Sequence, residues 1–409
     1  MLKKNIVIVI LLLFSNYASG QIRGLGYDFY GFIRADLFYN SRKSVAPVDG
    51  NFYLFPLNEE FDEDGNDLNE MHNGDFICYT SRLGLNVKGL RIGKAKLSAN
   101  VEVDFGGSGK EGAVLRLRKA YMVCDWSKHH LLVGQTWHPL FGTVIPDILN
   151  LSTGAPFQPF NRSPQIRYQF DVRNFRLTTA ALWQVQYKSN GPLGPSADYL
   201  KHSLLPELYV GGDWNGENGL QVGAGADLIS ICPRQNSVWN DNVYKVNERM
   251  TSVSYEIHAM YHTNKWYVAA KSLLASSLDH TALLGGYGVH SINPANGKQK
   301  YTAFNHSTSW INVTYGKTWK PSFFVGYTKN LGTNNSLISE DAVYGSGLDI
   351  DTLLDTQIAL SYNHNHLQVG LETSICSAWY GEINTRNGRV NHAHVVSNYR
   401  VLALLMFYF

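Results

Sequence analysis

Long apolar runs are missing from this sequence, and so is any excess of charge. No stretch approaches the ~18 apolar residues that a membrane-spanning helix needs, so a helical membrane protein is excluded. Charged residues make up only 17% of 409 residues, below the roughly 25% usual for soluble domains. Lys plus Arg (35) nearly balance Asp plus Glu (33), and a net charge of +2 gives no footing for nucleic acid or a polybasic membrane contact. Cysteine is scarce. Cys78, Cys124, Cys232 and Cys376 form no CxxC and lie in or beside strand-like segments. They read as mostly free, small apolar residues, with one bridge left open. There is no G-x-S-x-G and no Gly-rich phosphate loop ahead of a helix.

What is abundant points to strands. Aromatics reach 13%, with 24 Tyr, and there are 37 Gly. Aromatic side chains suit a pleated surface, while glycine weakens helix interiors. The apolar content is too high for disorder. The N-terminus reads as a processing signal: Lys3 and Lys4 precede an apolar run from Ile6 to Phe14. Ala18 and Gly20 then place small residues before Gln21. Residues 1–20 are expected to be removed, leaving 21–409 as one exported domain.

Period-2 alternation organises the rest. Leu97, Ala99, Val101, Val103 and Phe105 alternate with Ser98, Asn100, Glu102 and Asp104. The pattern recurs over 79–88 and 175–187. Sixteen such segments are predicted, the seventh over 174–187 and the last over 393–409. Short connections alternate with long ones, including 40–77, 138–163 and 378–392. Both ends fall on the short-turn side. One apolar face, one polar face and alternating loop lengths predict an all-β, antiparallel transmembrane β-barrel. Long extracellular loops and short periplasmic turns go with it. The final strand ends in Phe409, with Tyr399, Val401, Ala403, Leu405 and Phe407 on the same lipid-facing parity. Tyr79, Phe105, Tyr187, Tyr261, Trp266, Trp319 and Tyr327 are expected in interfacial girdles.

About sixteen strands leave an aqueous channel, so function is expected at its narrowest point. The third loop, 138–163, carries Leu140, Phe141, Val144, Ile145, Ile148, Leu149, Leu151, Phe157 and Phe160, which folding into the lumen would bury. Parity then places Arg34, Arg82, Lys88, Arg116, Arg118 and Arg167 on the lumen wall. With Arg162 they form a basic ladder suited to carboxylate or phosphate. Glu102, Asp104, Asp36 and Asp147 supply opposing acid. In the simplest register Glu102 faces Arg116.

Other candidates carry less. The acidic run in 40–77 contains Asp62-x-Asp64-x-Asn66, but Asp67 stands where an EF-hand needs Gly and Asn73 where it needs Glu. It reads as a solvated loop, the alternative being a loose divalent-ion site toward lipopolysaccharide. His258 and His262 lie roughly 13 Å apart on a strand, too far to share an ion. No cofactor, metal or catalytic residue is assigned.

Several short segments carry a resemblance. Tyr30-Gly31-Phe32-Ile33-Arg34-Ala35-Asp36 and Gly134-Gln135-Thr136-Trp137 are similar to DcaP-like porins and related Bacteroidetes porins. Thr153-Gly154-Ala155-Pro156-Phe157-Gln158-Pro159-Phe160-Asn161-Arg162-Ser163-Pro164 resembles the Bacteroidetes members in particular. The resemblance implies a Gram-negative outer-membrane homotrimer, passive diffusion of small hydrophilic solutes and a preference for anions. The N-terminal coiled coil common in DcaP-like members is expected to be absent. Expected partners are outer-membrane lipid, lipopolysaccharide and the barrel-assembly machinery, and not nucleic acid. A closed-lumen barrel used in surface binding or adhesion is the alternative, and a barrel hydrolase a weaker one.

Overall fold

A computed structural model describes residues 25–47, 50–107 and 113–409, so the expected signal segment lies outside the described residues. Sixteen antiparallel strands close on themselves. They are β1 (Gly26–Asn40), β2 (Asn73–Ile77 and Arg82–Ile92), β3 (Ala95–Gly107), β4 (Val114–Trp126), β5 (His129–Trp137) and β6 (Arg162–Val172). Next come β7 (Phe175–Leu182), β8 (Glu207–Asn215), β9 (Leu220–Ile231), β10 (Met250–His262) and β11 (Trp266–Ser276). The last are β12 (Gln299–Tyr315), β13 (Trp319–Thr333), β14 (Ile350–His364), β15 (Leu367–Ile383) and β16 (Val390–Tyr408). The seam is β1 against β16, from Phe32↔Tyr408 to Asn40↔Arg400. Among the described residues no helix is long and apolar enough to cross a membrane.

The outer face is apolar. Phe29, Ile33 and Leu37 on β1 are exposed, as are Val401, Leu405 and Phe407 on β16. Alternating residues such as Arg34, Asp36 and Arg400 are buried inside. Lipid solvates such an outer band, and closure leaves no unpaired edge within it. Trp214, Tyr261, Trp266, Tyr315 and Trp319 stand exposed at the short-turn rim, where an amphipathic ring suits the headgroup layer.

Three expectations change. β7 ends at Leu182, because Trp183 N–H donates to the Pro164 carbonyl and Pro164 has no N–H to return. The expected loop over 378–392 shrinks to 384–389, since β15 and β16 run on with apolar residues facing inward. Tyr79 and Tyr187, expected in girdles, line the lumen instead. All four cysteines are free.

The apolar core lies inside the barrel. Segment 138–161 runs across the lumen, and Phe157 packs on Phe324 of β13 with ring centroids 6.3 Å apart. Trp310 of β12 donates its indole N–H to Gln158 at 2.9 Å. Lys271 of β11 donates to the Leu140 carbonyl at 2.5 Å and the Phe141 carbonyl at 3.1 Å. Glu372 of β15 accepts from the Leu149 amide at 2.7 Å, and Arg34 donates to the Leu149 carbonyl at 2.8 Å. A second segment, Phe52–Phe55 of the first loop, joins the same core, with Phe52 edge-on to Phe160 at 4.7 Å. Together they fill the side of the lumen facing β11–β15 and leave space against β1–β5.

Candidate functional site: an arginine-lined passage

That space is a cavity of about 1160 Å³. Its polar wall includes Arg34, Arg82, Arg116 and Arg118, and its apolar wall includes Phe52 and Trp137. Period-2 geometry delivers Arg82 from β2 and Arg116 and Arg118 from β4 to the inner face. A β-bulge then changes the register. Asp104 faces Arg116, Val103 faces Leu117 and Glu102 faces Lys119, so Arg118 is the extra residue. The simplest register, with Glu102 opposite Arg116, is corrected by two residues already on the hairpin side of the bulge, where Asp104 takes that place. Because of the bulge, Lys119 joins Arg116 and Arg118 in presenting its cation inside.

Two buried carboxylates serve four cations. Asp104 receives Arg116 through two hydrogen bonds, at 2.9 and 2.8 Å, and Arg118 at 2.8 Å. Glu102 receives Arg118 at 2.9 Å and Lys119 at 3.0 Å, with Arg82 at 3.6 Å. Tyr30 adds a hydroxyl donor to Glu102 at 3.0 Å. Glu102 and Asp104 are each only 2% exposed and sit behind the guanidinium groups rather than on the cavity surface. Arg34 is paired with Asp36 at 2.7 Å, and Asn51 donates to the same carboxylate at 2.8 Å. The wall therefore carries more positive than negative charge, with its cations held in fixed directions. Such an array can orient an anion bidentately without a large reorganisation cost.

The remaining sequence candidates lie elsewhere. Arg162 does not line the cavity: it is fully buried behind aromatic rings, 4.7 Å from the Trp137 centroid and 5.4 Å from Tyr187. Its Nη2 donates to the Tyr187 hydroxyl at 2.7 Å, while Nε and Nη1 have no partner. Arg167 is drawn away by the Trp137 carbonyl and by Gln165 at 2.9 Å. Asp147 crosses the lumen to Lys320 of β13 at 2.6 Å. Lys88, expected inside, is exposed near a short turn and pairs with Asp28 at 2.7 Å. Lys119 escaped sequence reasoning, although the outward apolar parity does jump from Leu115 and Leu117 to Met122. The lumenal Phe52–Phe55 segment was also missed, and its signal is an apolar cluster inside an otherwise acidic loop. In that loop Asp62 accepts from the Asp64 and Asn66 amides at 2.9 and 2.8 Å. The Asn66 hydrogen bonds hold its carboxyl below the usual range.

No family model matches the chain, and no curated protein matches it. Solved structures do. The outer membrane channel DcaP of Acinetobacter baumannii is 16% identical, with a TM-score of 0.66 over 95% of this chain and 99% of that one. The outer membrane protein OmpT of Vibrio cholerae is 12% identical, with a TM-score of 0.56 over 95% and 99%. An anion-selective porin from Comamonas acidovorans is 9% identical, with a TM-score of 0.54 over 94% and 100%. The chain thus has the fold of outer-membrane channels and porins.

Proposed function

We propose that this protein is an outer-membrane porin, a passive diffusion channel for small hydrophilic solutes that prefers anions. The observation that carries the reading is the cavity wall, where Arg82, Arg116, Arg118 and Lys119 share only Glu102 and Asp104. Arg162 adds a buried charge with no carboxylate on it. Field lines from a low-dielectric wall reach into the passage and enrich anions there. The fold supports a location in the outer membrane, and the reading adds removal of residues 1–20 and insertion by the barrel-assembly machinery. One related structure is described as a trimer form, and the proposed assembly here is a homotrimer. No cofactor or energy source enters the reading.

Planar-bilayer conductance of the detergent-folded protein under a salt gradient tests it. Stable steps, grouped in threes, with a reversal potential of anion sign are the expected result. Arg82→Glu combined with Arg116→Glu should move that potential toward cations. An unchanged potential removes both residues from the constriction. The extensive apolar filling of the lumen favours a second reading, a closed barrel that binds at the surface. Absence of conductance from correctly folded protein would mean a blocked lumen and would move the reading to surface binding or to a barrel hydrolase.

A further inference from the structure

A second cluster of charge lies outside the passage, and no sequence motif announces it. His138 stands at the root of segment 138–161, Glu207 opens β8, Asp227 lies on β9 and His280 sits in a short turn of the loop after β11. None is more than 2% exposed. Glu207 Oε1 is 3.1 Å from His138 Nε2 and 2.9 Å from His280 Nε2. One ligand atom from each of these three residues lies within 4.8 Å of the others. Asp227 Oδ1 is 3.9 Å from His138 Nε2.

The cluster is short of positive charge. Both Asp227 carboxylate oxygens, Glu207 Oε2 and His280 Nδ1 are buried without a hydrogen-bond partner. Among the described residues no Lys or Arg forms an ion pair with either carboxylate. The neighbouring Lys271 is turned to Glu256, at 3.5 Å, and to the Leu140 and Phe141 carbonyls. A buried carboxylate without hydrogen bonds or a counter-charge is costly, and a bound cation removes that cost.

We infer that His138, His280, Glu207 and Asp227 form a buried site for a divalent first-row transition ion, with Zn²⁺ the best match. Two imidazoles and two carboxylates suit four-coordinate zinc. Calcium and magnesium favour more oxygen donors than these residues offer. The Leu140 amide donates to His138 Nδ1 at 3.1 Å, so His138 Nε2 carries the proton given to Glu207. Ion binding at Nε2 displaces that proton and puts one on Nδ1, where it faces the Leu140 N–H. Loading is therefore coupled to proton movement and to the turn that begins the inward segment. Asn161 Nδ2 donates to the His280 carbonyl at 3.1 Å, so the ion would join the root of one loop, the exit of the same loop and the loop after β11 to the barrel wall.

This inference stands apart from the channel reading and is tested apart from it. The full-length, detergent-folded chain is stripped with chelator, dialysed against ZnCl₂ and analysed for bound metal and X-ray absorption. The expected result is one zinc per chain with N and O ligands near ~2.0–2.1 Å and a raised unfolding midpoint. Asp227→Asn keeps the size and polarity of the buried side chain and should still fold, with zinc affinity lowered by about 10–100-fold or more, at least the cost of losing an outer-shell partner. His280→Ala, scored only in protein that keeps its heat-modifiable mobility, should lose the ion. No stoichiometric zinc in the wild type overturns the site. Unchanged affinity in folded Asp227→Asn and His280→Ala does the same.

Discussion

At the residue scale, the arginine wall depends on two carboxylates that no solute touches. Glu102 accepts from Arg118, Lys119 and Tyr30 while nearly fully buried. Removing its charge has two opposed consequences. Arg118 keeps Asp104, but Arg82 and Lys119 lose their carboxylate partner, so the field in the passage grows more positive. The same change breaks a buried network, which costs about 3–5 kcal/mol when both partners are fully buried. Arg82 and Lys119 retain some solvent, so the cost should fall at the lower end. Glu102→Gln is therefore expected to lower the unfolding midpoint while increasing anion selectivity. Reversal potential and thermal unfolding measured on one preparation separate the two effects. A variant that loses stability without gaining anion preference would show that the wall's charge does not reach the permeating ion.

At the scale of elements, the inward segment is seated by close approach as much as by hydrogen bonds. Gly326 on β13 faces the lumen, and a Cβ there would lie 2.3 Å from Phe157 Cγ. The ring has nowhere cheap to go, because it is fully buried against Phe324. Overpacking of this kind costs typically about 1–3 kcal/mol. Gly326→Val should push Phe157 and its segment toward the arginine wall, narrowing the cavity without touching a charge. Single-channel conductance should fall while the sign of selectivity stays. Unchanged conductance in a folded variant would mean that the segment does not set the bottleneck. Strands such as β3 were legible because one face is apolar and the other polar along their length. The upper parts of β15 and β16 were not, because their inward residues are apolar as well. Cys376, Ala378 and Tyr380 look inward, and Tyr380 donates to the Pro56 carbonyl at 2.6 Å. Alternation disappears where a loop supplies an apolar interior. The register of β3 on β4 was hidden for another reason: two irregularities, at Gly106–Gly107 and at Arg118, leave composition untouched and shift the facing pairs beyond them. The His138, Glu207, Asp227 and His280 cluster draws on four separated elements, so only the fold brings it together.

At the scale of the whole molecule, the barrel exists only if its two ends find each other. The last rung of the seam is reciprocal: Gly31 N–H donates to the Phe409 carbonyl at 3.0 Å, and Phe409 N–H donates to the Gly31 carbonyl at 3.1 Å. The Phe409 ring also lies over Gly31, where a Cβ would meet the Arg82 carbonyl oxygen of β2 at 2.3 Å and Phe409 Cζ at 2.9 Å, so the close approach of the neighbouring backbone requires glycine. Deleting Phe409 removes two hydrogen bonds of about 0.5–1.5 kcal/mol each, at an edge that water can reach. The paired stretch Phe32–Asn40 with Arg400–Tyr408 remains. A barrel refolded in detergent without Phe409 should therefore unfold only slightly earlier than the full chain. Its amount in outer membranes should fall much further if the terminal aromatic also serves as the recognition signal for barrel assembly. Measuring both quantities for the same deletion separates the roles. Parallel, modest losses assign Phe409 to the seam alone, whereas a collapse of membrane yield with near-normal refolding assigns it to insertion.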